Sequence, residues 1–227
     1  SLELPVDQQE FIKELYKVNP NTVVVLVAGS SMAVNWMDEN VPAILNAWYP
    51  GEQGGNAVAE VLFGDYNPGG RLPLTYYNSL DEIPAFDNYF VKGRTYQYFE
   101  GQPLYEFGYG LSYTKFRYKS KGVNVEQDTV KVSFEVSNTG KYDGDEVTQV
   151  YVKYPETGTY MPLKQLHGFK RVHIKKGKTS KVTIGVPKKD LRYWDEQERK
   201  FVTPKGEYTF MVGASSDDIK FRETVGL

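Results

Sequence analysis

At 227 residues the chain is long for one domain and comfortable for two. Its 40% hydrophobic and 25% charged residues are ordinary globular values, which excludes wholesale disorder, and a net charge of -2 argues against a general affinity for nucleic acid. No apolar run approaches the roughly 20 residues of a membrane helix, and the absence of cysteine removes disulfides, zinc-thiolate sites and cysteine nucleophiles together. Aromatic residues reach 15%, a load that suits β-rich packing and carbohydrate surfaces alike.

The opening Ser1-Leu2-Glu3-Leu4-Pro5 has no initiator Met, basic n-region or apolar h-region, and predicts a processed product or a fragment. A helix is expected over Val6–Val18, with capping-box spacing at Asp7 and Glu10 and an apolar face of Phe11, Ile12, Leu15 and Tyr16. Asn19-Pro20-Asn21 ends it. The β-branched run from Thr22 to Ala28 predicts a strand buried on both faces of a parallel sheet, and Ala43 to Tyr49 a second, shorter strand. Gly54-Gly55 opens a helix with Ala57, Val58, Val61 and Leu62 on one face, and Gly64 closes it. Such alternation belongs to an open α/β sheet, but two strands are too few for a complete one.

Beyond residue 115 the character changes. Residues 1–115 carry 6 Lys+Arg against 14 Asp+Glu, and residues 116–227 carry 21 against 15. A domain boundary is therefore expected near Tyr113–Gly122, giving domains 1–115 and 116–227. Strands are predicted at Phe116–Glu126, Thr129–Ser137, Glu146–Tyr154, Gln165–Ile174, Ser180–Val186, Glu207–Gly213 and Ile219–Thr224. Strict alternation from Val130 to Val136 marks one wet face. About seven strands in roughly 110 residues is the size of an immunoglobulin-like sandwich. The fold class is α/β followed by all-β: a partial α/β sandwich domain and an immunoglobulin-like β-sandwich.

Few residues announce chemistry. Pro50-Gly51-Glu52-Gln53-Gly54-Gly55 matches neither the dinucleotide fingerprint nor the P-loop, so a tight turn with close helix packing is the plain reading. His167 and His173 have no neighbouring serine nucleophile or metal-ligand cluster, and structural or surface roles are expected. Glycoside hydrolysis needs two carboxylates about 5–5.5 Å apart for retention. The spacing of Asp38, Glu39, Glu52, Asp65, Asp81, Glu82, Asp87, Glu100 and Glu106 selects no pair. Ser31 and Glu52 each follow the carboxyl end of a predicted strand, where open α/β sheets place ligands; loop capping or solvation is the plainer role for both. Tyr96, Tyr98, Phe99, Tyr105, Phe107, Tyr109 and Tyr113 cluster before the boundary. Alternate spacing of Tyr105, Phe107 and Tyr109 would put three rings on one side of an extended segment, to seal a junction or stack on a sugar.

Several stretches carry a resemblance. Asn40-Val41-Pro42-Ala43-Ile44-Leu45, Ala47-Trp48-Tyr49-Pro50-Gly51 and the run Gly54 to Pro73 resemble the C-terminal α/β sandwich domain of glycoside hydrolase family 3. Pro103-Leu104-Tyr105 and Phe107 to Thr114 resemble the segment that closes that domain. Asn138-Thr139-Gly140, Gly144-Asp145-Glu146-Val147, Lys164 to Phe169 and Val212 to Ile219 resemble the family's fibronectin type III-like domain.

The resemblance implies part of a retaining, exo-acting β-glycosidase acting on oligosaccharides, with no metal and no organic cofactor. Gly93-Arg94-Thr95-Tyr96-Gln97-Tyr98-Phe99 looks more like the β-xylosidase branch than the β-glucosidase branch. It also implies that no catalytic residue lies in this chain. The nucleophilic Asp would sit in an upstream barrel-containing part of the same protein, and the acid/base Glu shortly before Ser1. Ser31 and Glu52 remain the substrate-contact candidates. Secretion or a periplasmic location is the family expectation, and a non-catalytic binding module is the competing class.

Overall fold

The computed structural model describes residues 1–227. The chain divides into two compact units: Ser1–Tyr66, Leu74–Arg94 and Glu100–Glu106 form the first, and Asn67–Pro73, Thr95–Phe99 and Phe107–Leu227 the second.

The first unit opens with helix α1 (Val6–Val18), which starts after Pro5 with no side-chain cap. The expected capping box is absent because Asp7 lies inside the first turn, where it can complement the dipole but cannot cap. Only part of the expected apolar face is used. Ile12 and Tyr16 pack on a core of Leu4, Val24, Leu26, Val34, Met37 and Val41, whereas Phe11 and Leu15 are exposed.

Strands β1 (Val23–Leu26) and β2 (Ala43–Asn46) pair in parallel, with Val23 opposite Ala43 and Leu26 opposite Asn46. Between them lies helix α2 (Asn35–Asn40), which the sequence reading left unassigned. The expectation that β1 is buried on both faces fails: Val24 and Leu26 face the core, while Val23 and Val27 are exposed. Its sheet has two strands, and the apolar cluster lies against one face only. Helix α3 (Gly54–Phe63) ends at Gly64, whose left-handed φ of 85° makes glycine the favoured residue there.

The second unit contains the short helix α4 (Thr95–Tyr98) and a seven-stranded sandwich. Strands β3 (Phe116–Val125), β4 (Thr129–Asn138) and β7 (Thr179–Pro187) form one sheet in the order β3-β4-β7. Strands β5 (Gly144–Lys153), β6 (Gln165–Ile174), β10 (Glu207–Gly213) and β11 (Ile219–Gly226) form the other, in the order β11-β10-β5-β6. A separate hairpin, β8 (Tyr193–Asp195) with β9 (Lys200–Val202), was not expected.

Alternation drives the core. Val130, Val132, Phe134 and Val136 point inward from β4 and meet Val182, Ile184, Val186, Tyr208, Phe210 and Val212. Each such side chain contributes roughly 1.5–3 kcal/mol by leaving water. Strand β5 breaks the pattern, with Thr148 through Val152 all buried. Its second face is covered by chain from earlier in the sequence. Tyr96 meets Tyr151 edge-on, and Gln149 Nε2 donates to the carbonyl of Gly108 at 3.2 Å.

Candidate functional site

Because β1 and β2 run parallel, the loops that follow them leave the same edge of the sheet. Ala47 N–H donates to the Leu26 carbonyl at 2.8 Å, so the two chains stay joined past the last β2 residue. The loop after β1 passes Gly29 and Ser31 and is tied at Ala33, whose N–H donates to the Leu2 carbonyl at 2.9 Å. Glu3 and Ala33 form an isolated parallel bridge, so the stretch before α1 runs beside Ser31.

The loop after β2 is held more tightly. Trp48 adopts a φ of 54°, a left-handed conformation that is unfavourable for a bulky residue and persists only where surroundings enforce it. The Tyr49 ring lies over Gly29, where a Cβ would come within 2.5 Å of Tyr49 Cε2. A Cβ on Gly54 would likewise come within 2.5 Å of Pro50 Cβ. Close packing is thus required at Gly54, while Gly51 and Gly55 have open space where a Cβ would stand.

Ser31 is half-buried and Glu52 exposed, one on each loop. Gly29 and Tyr49 bring the two loops into contact. No hydrogen bond joins Ser31 to Glu52. The sequence reading singled out neither Trp48 nor Tyr49 as a site residue; the only local signal was two aromatics ahead of a Pro-Gly turn.

Behind this edge a polar chain fixes the end of β2. Asn46 Nδ2 donates to Tyr76 Oη at 2.8 Å, Tyr76 packs edge-on against Tyr105 at 5.9 Å, and Tyr105 Oη donates to Asp38 at 2.6 Å. Burial raises the Tyr76 hydroxyl above its ordinary pKa, against a smaller opposing effect of Asn46, and so keeps it neutral. The expected row of three rings does not form. Tyr105 contacts Tyr76, whereas Phe107 stacks on Tyr96 at 4.3 Å in the second unit.

Of the carboxylates named above, Asp38 is engaged by Tyr105, and Glu82 accepts from Asn78 N and Nδ2 at 2.9 and 3.0 Å. A second aromatic feature is the loop bearing Phe86, Tyr89 and Phe90, which are 94%, 90% and 80% exposed. Its shape is set by Arg94, whose guanidinium donates to the carbonyls of Pro84, Ala85 and Asn88.

The histidines take structural places. His173 Nδ1 pairs with Asp145 at 2.7 Å, and His167 Nε2 lies 2.8 Å from Tyr154 Oη. Burial lowers His167 below its ordinary pKa of 6.5, so folding favours the neutral ring. The unfolded chain then takes up this proton at higher pH than the folded one. Stability is full above the unfolded value of 6.5 and is lost as pH falls through the lower folded value. Urea midpoints measured stepwise below that pH should fall, and His167→Gln should flatten the slope. An unchanged slope in the variant would sink this assignment.

Residues 1–113 match the glycosyl hydrolase family 3 C-terminal domain, and residues 146–216 match the fibronectin type III-like domain. The chain belongs to glycoside hydrolase family 3. It is 42% identical over 220 residues to a xylan 1,4-β-xylosidase of Xylanibacter ruminicola, covering 96% of this chain and 25% of that protein. A periplasmic β-glucosidase of Salmonella typhimurium is 34% identical, with 97% of this chain and 31% of that protein covered. The crystal structure of a Kluyveromyces marxianus β-glucosidase in complex with glucose superposes with a TM-score of 0.93 at 36% identity, over 100% of this chain and 29% of that one. The chain therefore spans about a quarter to a third of the length of these relatives.

Proposed function

We propose that the chain is the C-terminal portion of a retaining, exo-acting β-xylosidase that releases terminal sugars from plant-type oligosaccharides. The observation that carries the sugar preference is the 42% identity, over 96% of the chain, to a protein named xylan 1,4-β-xylosidase. On this reading residues 1–115 are the later part of the α/β sandwich, and residues 116–227 are the fibronectin-like module. Both catalytic carboxylates belong to upstream chain. Double displacement then proceeds by Asp attack to form a glycosyl-enzyme, while Glu protonates the leaving oxygen and afterwards activates water. The hydrogen bond from Ala33 to Leu2 supports this arrangement, because chain entering before Ser1 arrives at the edge that carries Ser31. Ser31 and Glu52 are the substrate contacts proposed from this chain. Secretion or a periplasmic location is proposed from the Salmonella relative's name.

The β-glucosidase reading is favoured by the likeness to the glucose-bound Kluyveromyces structure. A free-standing sugar-binding module finds less support at Tyr105, which is half-buried and engaged by Tyr76 and Asp38.

The test is hydrolysis of p-nitrophenyl β-xyloside and β-glucoside by the purified 227-residue chain, with its mass recorded alongside. No turnover is expected at a mass of 25.9 kDa. Turnover by that single species would sink the placement of the carboxylates upstream. In the longer protein, preference for the glucoside would select the second reading.

A further inference from the structure

Positive charge on the sandwich collects at one end. The β4–β5 loop and the turn between β6 and β7 meet there: Asn138 N–H donates to the Lys178 carbonyl at 2.9 Å, and Gly177 N–H to the Asn138 carbonyl at 3.1 Å. The buried Asn138 side chain fixes this frame. Its Nδ2 donates to the carbonyls of Tyr142 and Ile174 at 2.7 and 2.9 Å, and its Oδ1 accepts from Thr114 Oγ1 at 2.6 Å. Thr139 N–H draws in the segment before β3 through the Lys115 carbonyl at 2.8 Å. Around the frame stand Lys115, Lys141, Lys175, Lys176 and Lys178, all exposed. The outer face of the adjoining sheet continues the charge, with Arg117 opposite Ser137, and Lys119 and Lys181 flanking Glu135 from the two neighbouring strands. Nearby carboxylates do not cancel it. Glu135 pairs with Lys121 at 3.0 Å, Asp145 holds Arg171 and His173, and Asp143 accepts from the backbone N–H of Lys176 at 2.7 Å. The exposed lysines of the frame, Arg117, Lys119 and Lys181 are in no ion pair.

We propose that this end and outer face of the sandwich bind an acidic polysaccharide, a sugar polymer bearing uronic acid carboxylates; the choice of a sugar polymer over other polyanions rests on the glycosidase reading above. Lysine is strongly hydrated, is almost never buried without a partner and is depleted from interface cores, so such a face suits water and a soluble polyanion better than packing against protein. Carboxylates repeating along a polymer meet cations that repeat across strands about 5 Å apart and along β3 about 7 Å apart. Between the cations the sheet offers hydroxyls, with Ser137 bonded to Thr179 at 2.7 Å and Ser133 to Thr183 at 3.0 Å. The outward positions of Arg117 to Lys121, Lys131 to Ser137 and Thr179 to Thr183 carry no apolar side chain, which a lipid surface would take by insertion and a nucleic acid base by stacking. A polymer held there raises the local concentration of its own chain ends for the active site of the longer protein.

The experiment measures binding of the longer protein that carries this chain to an immobilised xylan with uronic acid side groups, and to the same xylan with its carboxyl groups reduced to alcohols. The acidic polymer should bind about tenfold tighter, and the difference should vanish as salt rises from about 0.05 to about 0.5 M. Replacing Lys115, Lys176 and Lys178 together by Gln should weaken binding to the acidic polymer about tenfold, at an unchanged melting temperature. Lys153, Lys189 and Lys205 lie at the opposite end of the sandwich, and the same replacement there removes equal charge but should change affinity less than about twofold. Equal effects of the two triple variants would show that net charge and not this face is at work, and would overturn the proposal. Equal binding to the acidic and the reduced xylan would overturn it too, as would tighter binding to duplex DNA or to phosphatidylserine vesicles than to the acidic xylan. Hydrolysis of p-nitrophenyl β-xyloside and β-glucoside should be the same in both variants as in the wild type. A wild type that binds the acidic xylan as expected but hydrolyses neither glycoside would bring down the glycosidase reading and leave the binding face standing.

Discussion

Arg71→Ala is expected to destabilise the second unit by on the order of 3–5 kcal/mol, because it strips a buried carboxylate of the cation paired with it. Arg71 Nη2 donates to Glu146 Oε2 at 2.7 Å, with side-chain exposures of 8% and 3%. Glu146 Oε1 accepts from Tyr118 Oη at 2.6 Å. Burial pushes the Glu146 carboxyl up, and the hydrogen bond from Tyr118 and the charge of Arg71 only partly offset it. Glu146→Gln should do comparable harm, since it leaves the guanidinium uncompensated. Arg71 Nε already lacks a partner while buried. The triple change Arg71→Met, Glu146→Leu and Tyr118→Phe removes every member of the group at once and should recover much of the loss. Urea unfolding followed by tryptophan fluorescence measures all of these. A cost for Arg71→Ala under about 1 kcal/mol, the range of an exposed pair, would refute the account.

The second large effect belongs to Gly108→Ala. Gly108 sits at a φ of 84°, and an added Cβ would come within 2.2 Å of Gln149 Oε1. Gln149 cannot simply swing away. Its Nε2 donates to the carbonyls of Gly108 and Ala214, and its Oε1 accepts from Tyr151 Oη at 2.5 Å. Conformational strain and broken buried hydrogen bonds together predict a loss of about 3 kcal/mol. Gly122 separates the two causes, because it has a φ of 94° but open space around its Cα. Gly122→Ala should therefore cost only the strain, about 1 kcal/mol. Equal costs at the two positions would show that the contact with Gln149 contributes nothing.

The strands of the sandwich were legible because their apolar residues alternate on a half-wet surface. Val130 to Val136 is the clearest case; β6 and β10 also have the expected bounds, although their burial does not alternate strictly. Helix α1 was legible to the residue for a related reason, a 3.6-residue period stopped by Asn-Pro-Asn. Its cap and half of its packing were not, since spacing records which residues could share a face and not which face is covered. Helix α2 has six residues, too few for a period to show. Strands β8 and β9 have three residues each, in a charged stretch with no alternation to read. At the candidate site, Ser31 and Glu52 could be placed at strand ends from the order of elements alone. The contact between the two loops could not, because it depends on the backbone angle of Trp48 and on Gly29, 20 positions before Tyr49, which only the folded chain brings against its ring. The partnership of Arg71 with Glu146, 75 positions apart, was hidden for the same reason.

The path of the chain has a practical consequence for anyone who wishes to move the sandwich elsewhere. Residues 67–73 and 95–99 leave the first unit, join the second and return before the chain commits to it at Phe107. They bring Asn67, whose Nδ2 donates to the Asp143 carbonyl; Arg71; and Tyr96, whose hydroxyl accepts from Leu166 N. A gene fragment beginning at Phe116 would encode all seven strands and still lack each of those partners. The sandwich looks like a transplantable cassette on a strand diagram, but its wiring is shared with sequence far upstream, so recombination, truncation or grafting has to carry that sequence along.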